Sequence, residues 1–260
     1  MSAPAALPCR LTELTYPEAA ELLALEPVVF LPMGSVEAHG PHLPLGTDSF
    51  LSESLAERAH AALHRIGQAS VIAPTISYAL THFASEFAGT VSLSAEAAVM
   101  QLRGVVLGML AAGFRRIALV NSHLEPAHIA GIRQLVAEIT AAHGPVLAFP
   151  DQTAKRRART VSAEYKSGSC HAGSYETSLL LVARPELCRT AISRALPQNP
   201  SDFLAHVRAG ATTFVQAGGD RAYFGQPAAA SAVEGEDQLA RLLTMVLVTL
   251  HETFGTPYTP

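Results

Sequence analysis

The chain has 260 residues, and 49% of them are hydrophobic, which is enough to build one α/β domain over residues 1–260. A formal net charge of −4 and a pI near 6.2 exclude the broad basic surface of nucleic-acid-binding proteins. The cysteine count is odd and no two cysteines are close, which predicts a protein without disulfides. The chain lacks a signal-peptide pattern, and charges interrupt every apolar run. We therefore expect a cytoplasmic protein without membrane contact.

Short aliphatic runs alternate along the chain with longer segments of helical period, which is typical of βα units around a mainly parallel sheet. Strands are predicted at residues 28–31, 70–73, 117–121 and 146–149. Helices are predicted at residues 49–66, 94–112 and 127–142, from about residue 173, and at residues 236–254. Prolines and a glycine pair break the period between residues 185 and 227, so we expect loops and short helices there.

A first cluster of polar residues follows the first predicted strand, in the segment LPMGSVEAHGPHLPLGTDSF. It contains Glu37, His39, His42 and Asp48 on a backbone bent by glycines and stiffened by prolines. Each of these residues alone is better explained as a polar group facing water. Together they favour a metal site, because a cation needs its ligands held in place on one side.

Two further clusters follow later elements. His123 and Glu125 come directly after the strand at 117–121. Residues two apart in extended chain point to the same side. The strand ends at the edge of the sheet where α/β proteins bind their ligands, so both side chains could reach one centre there. Their alternative role is to cap the next helix. His171 and Glu176 flank a glycine turn that enters a helix, and the alternative there is a core histidine and a helix-capping acid.

These residues belong to motifs that resemble the creatininase family. The resemblance spans most of the chain, through GSxExHGPHLPxGTD at 34–48, FxGTxSL at 87–93, GFRRIALVNSHxE at 113–125, HAGxxETS at 171–178 and a weaker GxPxxASAxxG at 225–235. It implies a three-layer α/β/α fold with a mainly parallel sheet, usually assembled as a homohexamer. It also implies a hydrolase that opens a carbon–nitrogen bond of a small, cyclic amide or a formamide with metal-activated water.

The resemblance further implies a centre of two divalent ions per chain, Zn²⁺ and/or Mn²⁺. Carried over position by position, Asp48 bridges the two ions, Glu37 and His123 complete one site, and His39 and Glu125 complete the other. His171 takes the place of the catalytic histidine, and Glu176 that of the acid beside it. In that case the ions would act on water and the carbonyl, while His171 would protonate the departing nitrogen.

The chain departs from the family pattern around the expected substrate pocket. It contains no Trp, and Leu124 stands where creatininase has an aromatic residue between two ligands. Creatinine is therefore predicted to be a poor substrate. The expected substrate-binding residues include Leu124 and three others: Thr81, His82 and Tyr175.

Two features of this region leave alternatives open. His82 either replaces the pocket histidine of the family from a nearby position or covers an apolar face. The basic residues between Lys155 and Arg159 either attract an anionic part of the substrate or form the solvated face of a helix.

Three other functions compete with small-amide hydrolysis. The same centre could hydrolyse a lactone or a cyclic ketone, or it could trim a peptide during cofactor maturation. The third alternative is an inactive relative that serves as a scaffold. Such a relative would usually lose ligands, whereas all the expected ligand positions are filled here, so we favour an enzyme that binds a small molecule.

Overall fold

The computed structural model describes residues 10–154, 163–168 and 171–257. Its centre is a sheet of four parallel strands, β1 (Val28–Met33), β2 (Ser70–Ile72), β3 (Arg116–Asn121) and β4 (Leu147–Ala148), in the order β2-β1-β3-β4. In the register of the two central strands, the last residue of β1, Met33, pairs with the last residue of β3, Asn121. The carboxyl ends of these strands therefore lie side by side.

Helices connect the strands and follow the sheet. In chain order they are α1 (Tyr16–Leu23), α2 (Thr47–Arg65), α3 (Ala95–Ala111), α4 (Pro126–His143), α5 (Ala163–Ser167), α6 (Ser174–Ala183), α7 (Thr190–Ala195), α8 (Phe203–Arg208) and α9 (Ala232–Phe254). Short 3₁₀ turns lie at Leu11–Glu13, Pro185–Leu187 and Pro227–Ala229.

Both faces of the sheet are covered by helices. Val28 and Phe30 of β1 point into a buried cluster with leucines of α2, α6 and α9, whereas Val29 and Leu31 point into a second cluster with α1, α3 and α4. Alternate residues of a strand face opposite sides, so a strand buried on both sides is apolar throughout. This confirms the predicted three-layer α/β/α architecture.

The predicted elements are confirmed, with small shifts at their ends. The helix predicted from residue 236 begins one turn earlier at Ala232, because the hydroxyl of Ser231 caps it by accepting the N–H of Glu234. Helix α1 was not predicted, although Thr15 and Glu18 form a capping box at its start. The basic residues at 155–159 lie outside the described part of the chain.

Within the described residues, no helix is both long enough and apolar enough to cross a membrane.

Helices α6 and α9 pack with their backbones in close contact. A Cβ atom added at Gly235 of α9 would lie 2.0 Å from the carbonyl oxygen of Ser178 in α6. That distance is far below any real carbon–oxygen contact, and a backbone atom cannot rotate away. Glycine at position 235 is therefore required by packing, despite its low helix propensity.

We expect Gly235→Ala to lower the free energy of unfolding by about 1–3 kcal/mol, the usual cost of overpacking. The matched control is Gly104→Ala in α3, where an added Cβ meets no atom within 4 Å. This second change should raise the free energy of unfolding by about 0.5–1 kcal/mol, through helix propensity alone. Urea unfolding at one fixed protein concentration measures both, and equal effects at the two sites would contradict the close packing.

Candidate metal centre

The predicted site residues come together at the carboxyl ends of β1 and β3. The loop after β1 brings Glu37 and His39 there, and Asp48 lies in the first turn of α2 rather than in the loop itself. This approach requires glycine at position 34, because a Cβ atom there would lie 2.4 Å from the backbone nitrogen of Ser49. The chain segment after β3 adds His123 from the neighbouring strand.

Three groups of side chains place their ligand atoms within 4.8 Å of one another, among the residues that the structure describes. The groups are Glu37, Asp48 and His123; His39, Asp48 and Glu176; and Glu37, His39 and His171. Asp48 belongs to the first two groups. A carboxylate with two oxygens can serve both groups, which is the arrangement of a bridging ligand.

Each histidine of these groups is fixed in the same way. One ring nitrogen contacts a backbone carbonyl oxygen, and the other faces the carboxylates. The contacts are His39 Nδ1 with Glu37 O at 3.1 Å, His123 Nε2 with Leu80 O at 2.7 Å, and His171 Nε2 with Ala38 O at 2.9 Å. A carbonyl oxygen can only accept, so each contacting nitrogen donates its hydrogen. Metal-binding histidines are commonly held by such a bond.

His39 Nε2 has no hydrogen-bond partner although the side chain is completely buried. Because Nδ1 donates to a carbonyl, Nε2 is the ring atom that is left to bind a proton or a metal ion. It lies 3.2 Å from Asp48 and 3.7 Å from both Glu37 and Glu176, counted to the nearest carboxylate oxygens. Lone pairs facing one another repel unless a cation lies between them, so this donor set fits a divalent ion.

The carboxylates raise the pKa of two of the three histidines in these groups, whereas burial lowers that of His171. Burial alone would lower the pKa of His39, but Asp48, Glu176 and Glu37 around it raise that pKa to about 10. Burial also opposes the charged form of His123, yet Glu37 and Asp48 raise its pKa well above its usual value. Burial raises the pKa of Glu176 to about 8. The site therefore favours bound positive charge.

Hydroxyl and amide groups hold the carboxylates in place. Ser35 donates to Asp48 Oδ2 at 2.8 Å, the backbone N–H of Ala172 donates to Glu176 Oε2 at 2.6 Å, and the Thr81 hydroxyl donates to Glu37 Oε2. Thr81 is fully buried. It was predicted to bind substrate, but it lies behind a carboxylate of the centre, where it orients that group.

Glu125 lines the same cavity but belongs to none of the three groups, although the family resemblance implies that it is a ligand together with His39. Its Oε2 accepts the backbone N–H of Phe83 at 3.3 Å, and burial raises its pKa to about 7. Glu176, which was expected to be the acid beside His171, instead joins His39 and Asp48. Its contact with the histidine segment is the N–H of Ala172, next to His171.

A cavity of about 550 Å³ opens above these residues. Its floor includes four acids, Glu37, Asp48, Glu125 and Glu176, and its wall includes His171 and the predicted residue Leu124. The volume lies inside the range of about 300–1,000 Å³ that is usual for ligand sites. The centre is thus accessible to a substrate-sized molecule.

Several cavity residues were not predicted from the sequence. Among them are four aromatic and two basic residues, Phe83, Tyr165, Phe203, Phe214, Arg133 and Lys166. Two of the phenylalanines come from the irregular stretch 185–227, where no periodic pattern marks a position as facing a site. The absence of Trp therefore does not leave the cavity without aromatic rings.

The remaining predicted residues lie outside the described cavity wall. His82 is exposed and does not contribute to it. The hydroxyl of Tyr175, a buried residue, donates to the side-chain oxygen of Gln152 at 3.1 Å. His42 is buried with Nε2 at 2.9 Å from the Thr177 hydroxyl, and burial lowers its pKa to about 4. Tyr175 and His42 thus support the segments around the centre.

Fold and site together define a class of protein: an α/β/α enzyme with a buried carboxylate–imidazole centre at the base of a ligand-sized cavity. The profile of the creatininase family, described as creatinine amidohydrolase, matches residues 12–250. The chain belongs to the creatininase family. It is accordingly a hydrolase of the creatininase type.

Individual relatives agree with this assignment. The mycofactocin precursor peptide peptidase of Mycobacterium tuberculosis H37Rv is 33% identical over 238 residues, which cover 89% of this chain and 87% of that protein. The creatinine amidohydrolase of Pseudomonas putida is 26% identical over 209 residues, 74% of this chain and 77% of that protein. A solved manganese form of creatininase superposes with a TM-score of 0.75 at 22% identity, covering 97% of this chain and all of that one.

Proposed function

We propose that this chain hydrolyses the carbon–nitrogen bond of an amide with water, and that it uses two divalent metal ions, Zn²⁺ and/or Mn²⁺. One observation carries the proposal. His39 Nε2 is buried without a hydrogen bond and faces the carboxylates of Asp48, Glu37 and Glu176. Relatives of the same fold have been solved in a manganese form and in a zinc–zinc form.

Two overlapping ligand sets would hold the ions. Glu37, Asp48 and His123 form one set, and His39, Asp48 and Glu176 form the other. When bound, the ions would supply the Lewis acidity that activates water and polarises the amide carbonyl. In this assignment Glu176 takes the ligand position that the resemblance gave to Glu125. Glu125 then remains at the cavity floor, beside the backbone N–H of Phe83.

Among amides, the cavity favours a substrate larger than a single small ring. Its volume of about 550 Å³ is within the range of sites for drug-sized ligands. Relatives described as precursor peptide peptidases, at 31% and 33% identity, also support a larger substrate, since a peptide is larger than a single small ring. We therefore place a peptide or acylated amino acid first and a small cyclic amide second.

The test of this function is a panel of substrates given to the metal-loaded protein: short peptides, N-acetyl and N-formyl amino acids, creatinine and a lactone. We expect release of amine from at least one peptide or acyl amino acid, with creatinine turned over poorly. Chelation should abolish the activity, and Zn²⁺ or Mn²⁺ should restore it. Hydrolysis of the lactone alone, or amide hydrolysis that survives chelation, would overturn the proposal.

Because Asp48 belongs to both ligand sets, a bridging role has a measurable consequence. Purified protein should carry about two divalent ions per chain, and Asp48→Asn should lose most of both, because one carboxylate serves both ligand sets. Asp151→Asn is the matched control, since Asp151 is also a buried acid but pairs with Arg133. Elemental analysis after dialysis measures the metal content of both variants. An unchanged metal content in Asp48→Asn would exclude a bridging role for Asp48.

His171 is the residue that we assign to proton transfer to the departing nitrogen. It lines the cavity, its Nε2 is held by the carbonyl of Ala38, and its Nδ1 lies 3.9 Å from Glu37 Oε1. Glu176 positions it indirectly, through the N–H of Ala172. An amide nitrogen leaves poorly as an anion, so it needs a proton to depart. Burial lowers the pKa of His171 to about 4, so its neutral Nδ1 would first take a proton from the attacking water and then give it to the nitrogen.

His171→Gln should retain its metal but lose turnover of an unactivated amide by about 10²–10⁴-fold. An anilide with a strongly electron-withdrawing ring should lose much less, because its amine departs without full protonation. His82→Gln, which changes an exposed histidine off the cavity wall, is the control and should keep full activity. If His171→Gln slows hydrolysis of both substrates equally, another group donates the proton. If the variant loses its metal ions, His171 is a metal ligand.

Assembly and location also remain proposals. The family resemblance supports a homohexamer, and the odd cysteine count without a close pair supports a cytoplasmic location.

A further inference from the structure

The cavity has an aromatic wall beside its proposed proton donor. Phe83, Phe203 and Phe214 all line the cavity, and the ring of Phe214 lies 4.3 Å from the ring of His171. The centroid of Phe203 lies 5.1 Å from that of Phe83 and 5.5 Å from that of Phe214, both in edge contacts. Rings at such separations form a surface that favours another flat group.

This wall is fixed rather than loosely attached. The backbone N–H of Phe214 donates to the carbonyl of Phe83 at 2.8 Å, which joins two segments distant in the chain. Behind them the fully buried Phe224 packs against Phe203 and Phe214, with centroids 5.2 and 5.6 Å away. A preformed apolar surface loses little freedom when it binds a ligand.

Basic side chains from two other elements also line the cavity. Arg133 of α4 is held by Asp151 at 2.6 Å and by the Thr153 hydroxyl at 2.8 Å, and half of its side chain is exposed. Lys166 of α5 is exposed and adds a second positive charge. A carboxylate on a bound molecule would be repelled by the acids of the floor and attracted to these two groups.

We propose that the cavity recognises an amide flanked by an aromatic side chain and a carboxylate. The aromatic group would pack on Phe83, Phe203 and Phe214, and the carboxylate would pair with Lys166 and Arg133. A free N-acyl aromatic amino acid and the aromatic end of a peptide share this chemistry. The inference rests on the proposed amide hydrolysis for the role of the site, but its test is binding.

The test uses a property of the chain itself, which contains no Trp. Indole excited beyond the absorption of tyrosine reports only the ligand, so the fluorescence anisotropy of N-acetyl-L-tryptophan measures binding to the metal-loaded protein directly. N-acetyl-L-tryptophanamide, which lacks the carboxylate, is the paired probe. We expect the acid to bind about tenfold more tightly than the amide, since charged hydrogen bonds are lost with the carboxylate.

Variants separate the two parts of the site. Phe203→Leu and Phe214→Leu should weaken both probes by about two- to tenfold, the usual contribution of an aromatic pair. Phe87→Leu is their control, because Phe87 packs on the same cluster but does not line the cavity. Lys166→Met and Arg133→Gln should weaken the acid and leave the amide unchanged, with Arg103→Gln, a surface partner of Glu138, as control.

The inference is overturned if neither probe binds, if the amide binds as tightly as the acid, or if the cavity variants match their controls. The affinities of a peptide ending in tryptophan and of N-acetyl-L-tryptophan show whether the cavity prefers a peptide end or a free acyl amino acid. Tight binding of either one supports recognition of an aromatic group beside a carboxylate. Protein that binds the probes but hydrolyses no amide would refute the proposed function alone. An active amidase with unchanged binding in the variants would refute this inference alone.

Discussion

The structure depends on the burial of several carboxylates in one place. Removing an ionised carboxylate from water is costly unless positive charge or hydrogen bonds replace the lost solvation. Glu37, Asp48 and Glu176 meet this requirement through imidazole rings and donors such as the Ser35 hydroxyl. The same field that raises the pKa of His39 to about 10 would hold divalent cations.

The topology of the sheet brings the acids and the imidazoles together. Adjacent parallel strands end at the same edge, so the segments that leave β1 and β3 supply acids and imidazoles to one point. Backbone carbonyls then fix each ring, which leaves one nitrogen of His39 and one of His123 directed at the acids. The close approach of α2 at Gly34 completes the arrangement by bringing in Asp48.

The walls of the cavity come from less regular parts of the chain. Helix α8 and the turn around Phe214 contribute rings, whereas Arg133 and Lys166 come from helices on other segments. Loops and short helices can change without disturbing the sheet, and substrate choice commonly resides in such segments. Variation in such segments would allow members of one family to act on substrates as different as creatinine and a peptide precursor.

The sequence by itself determined the parallel sheet, the covering helices and the identity of the polar clusters, because these follow from periodicity and from short contiguous motifs. Only the tertiary structure decided that Glu176 groups with His39 and Asp48, while Glu125 belongs to none of the three groups. It also decided that Thr81 faces a carboxylate rather than the cavity. These relations are distances between segments far apart in the chain, and no local pattern encodes them.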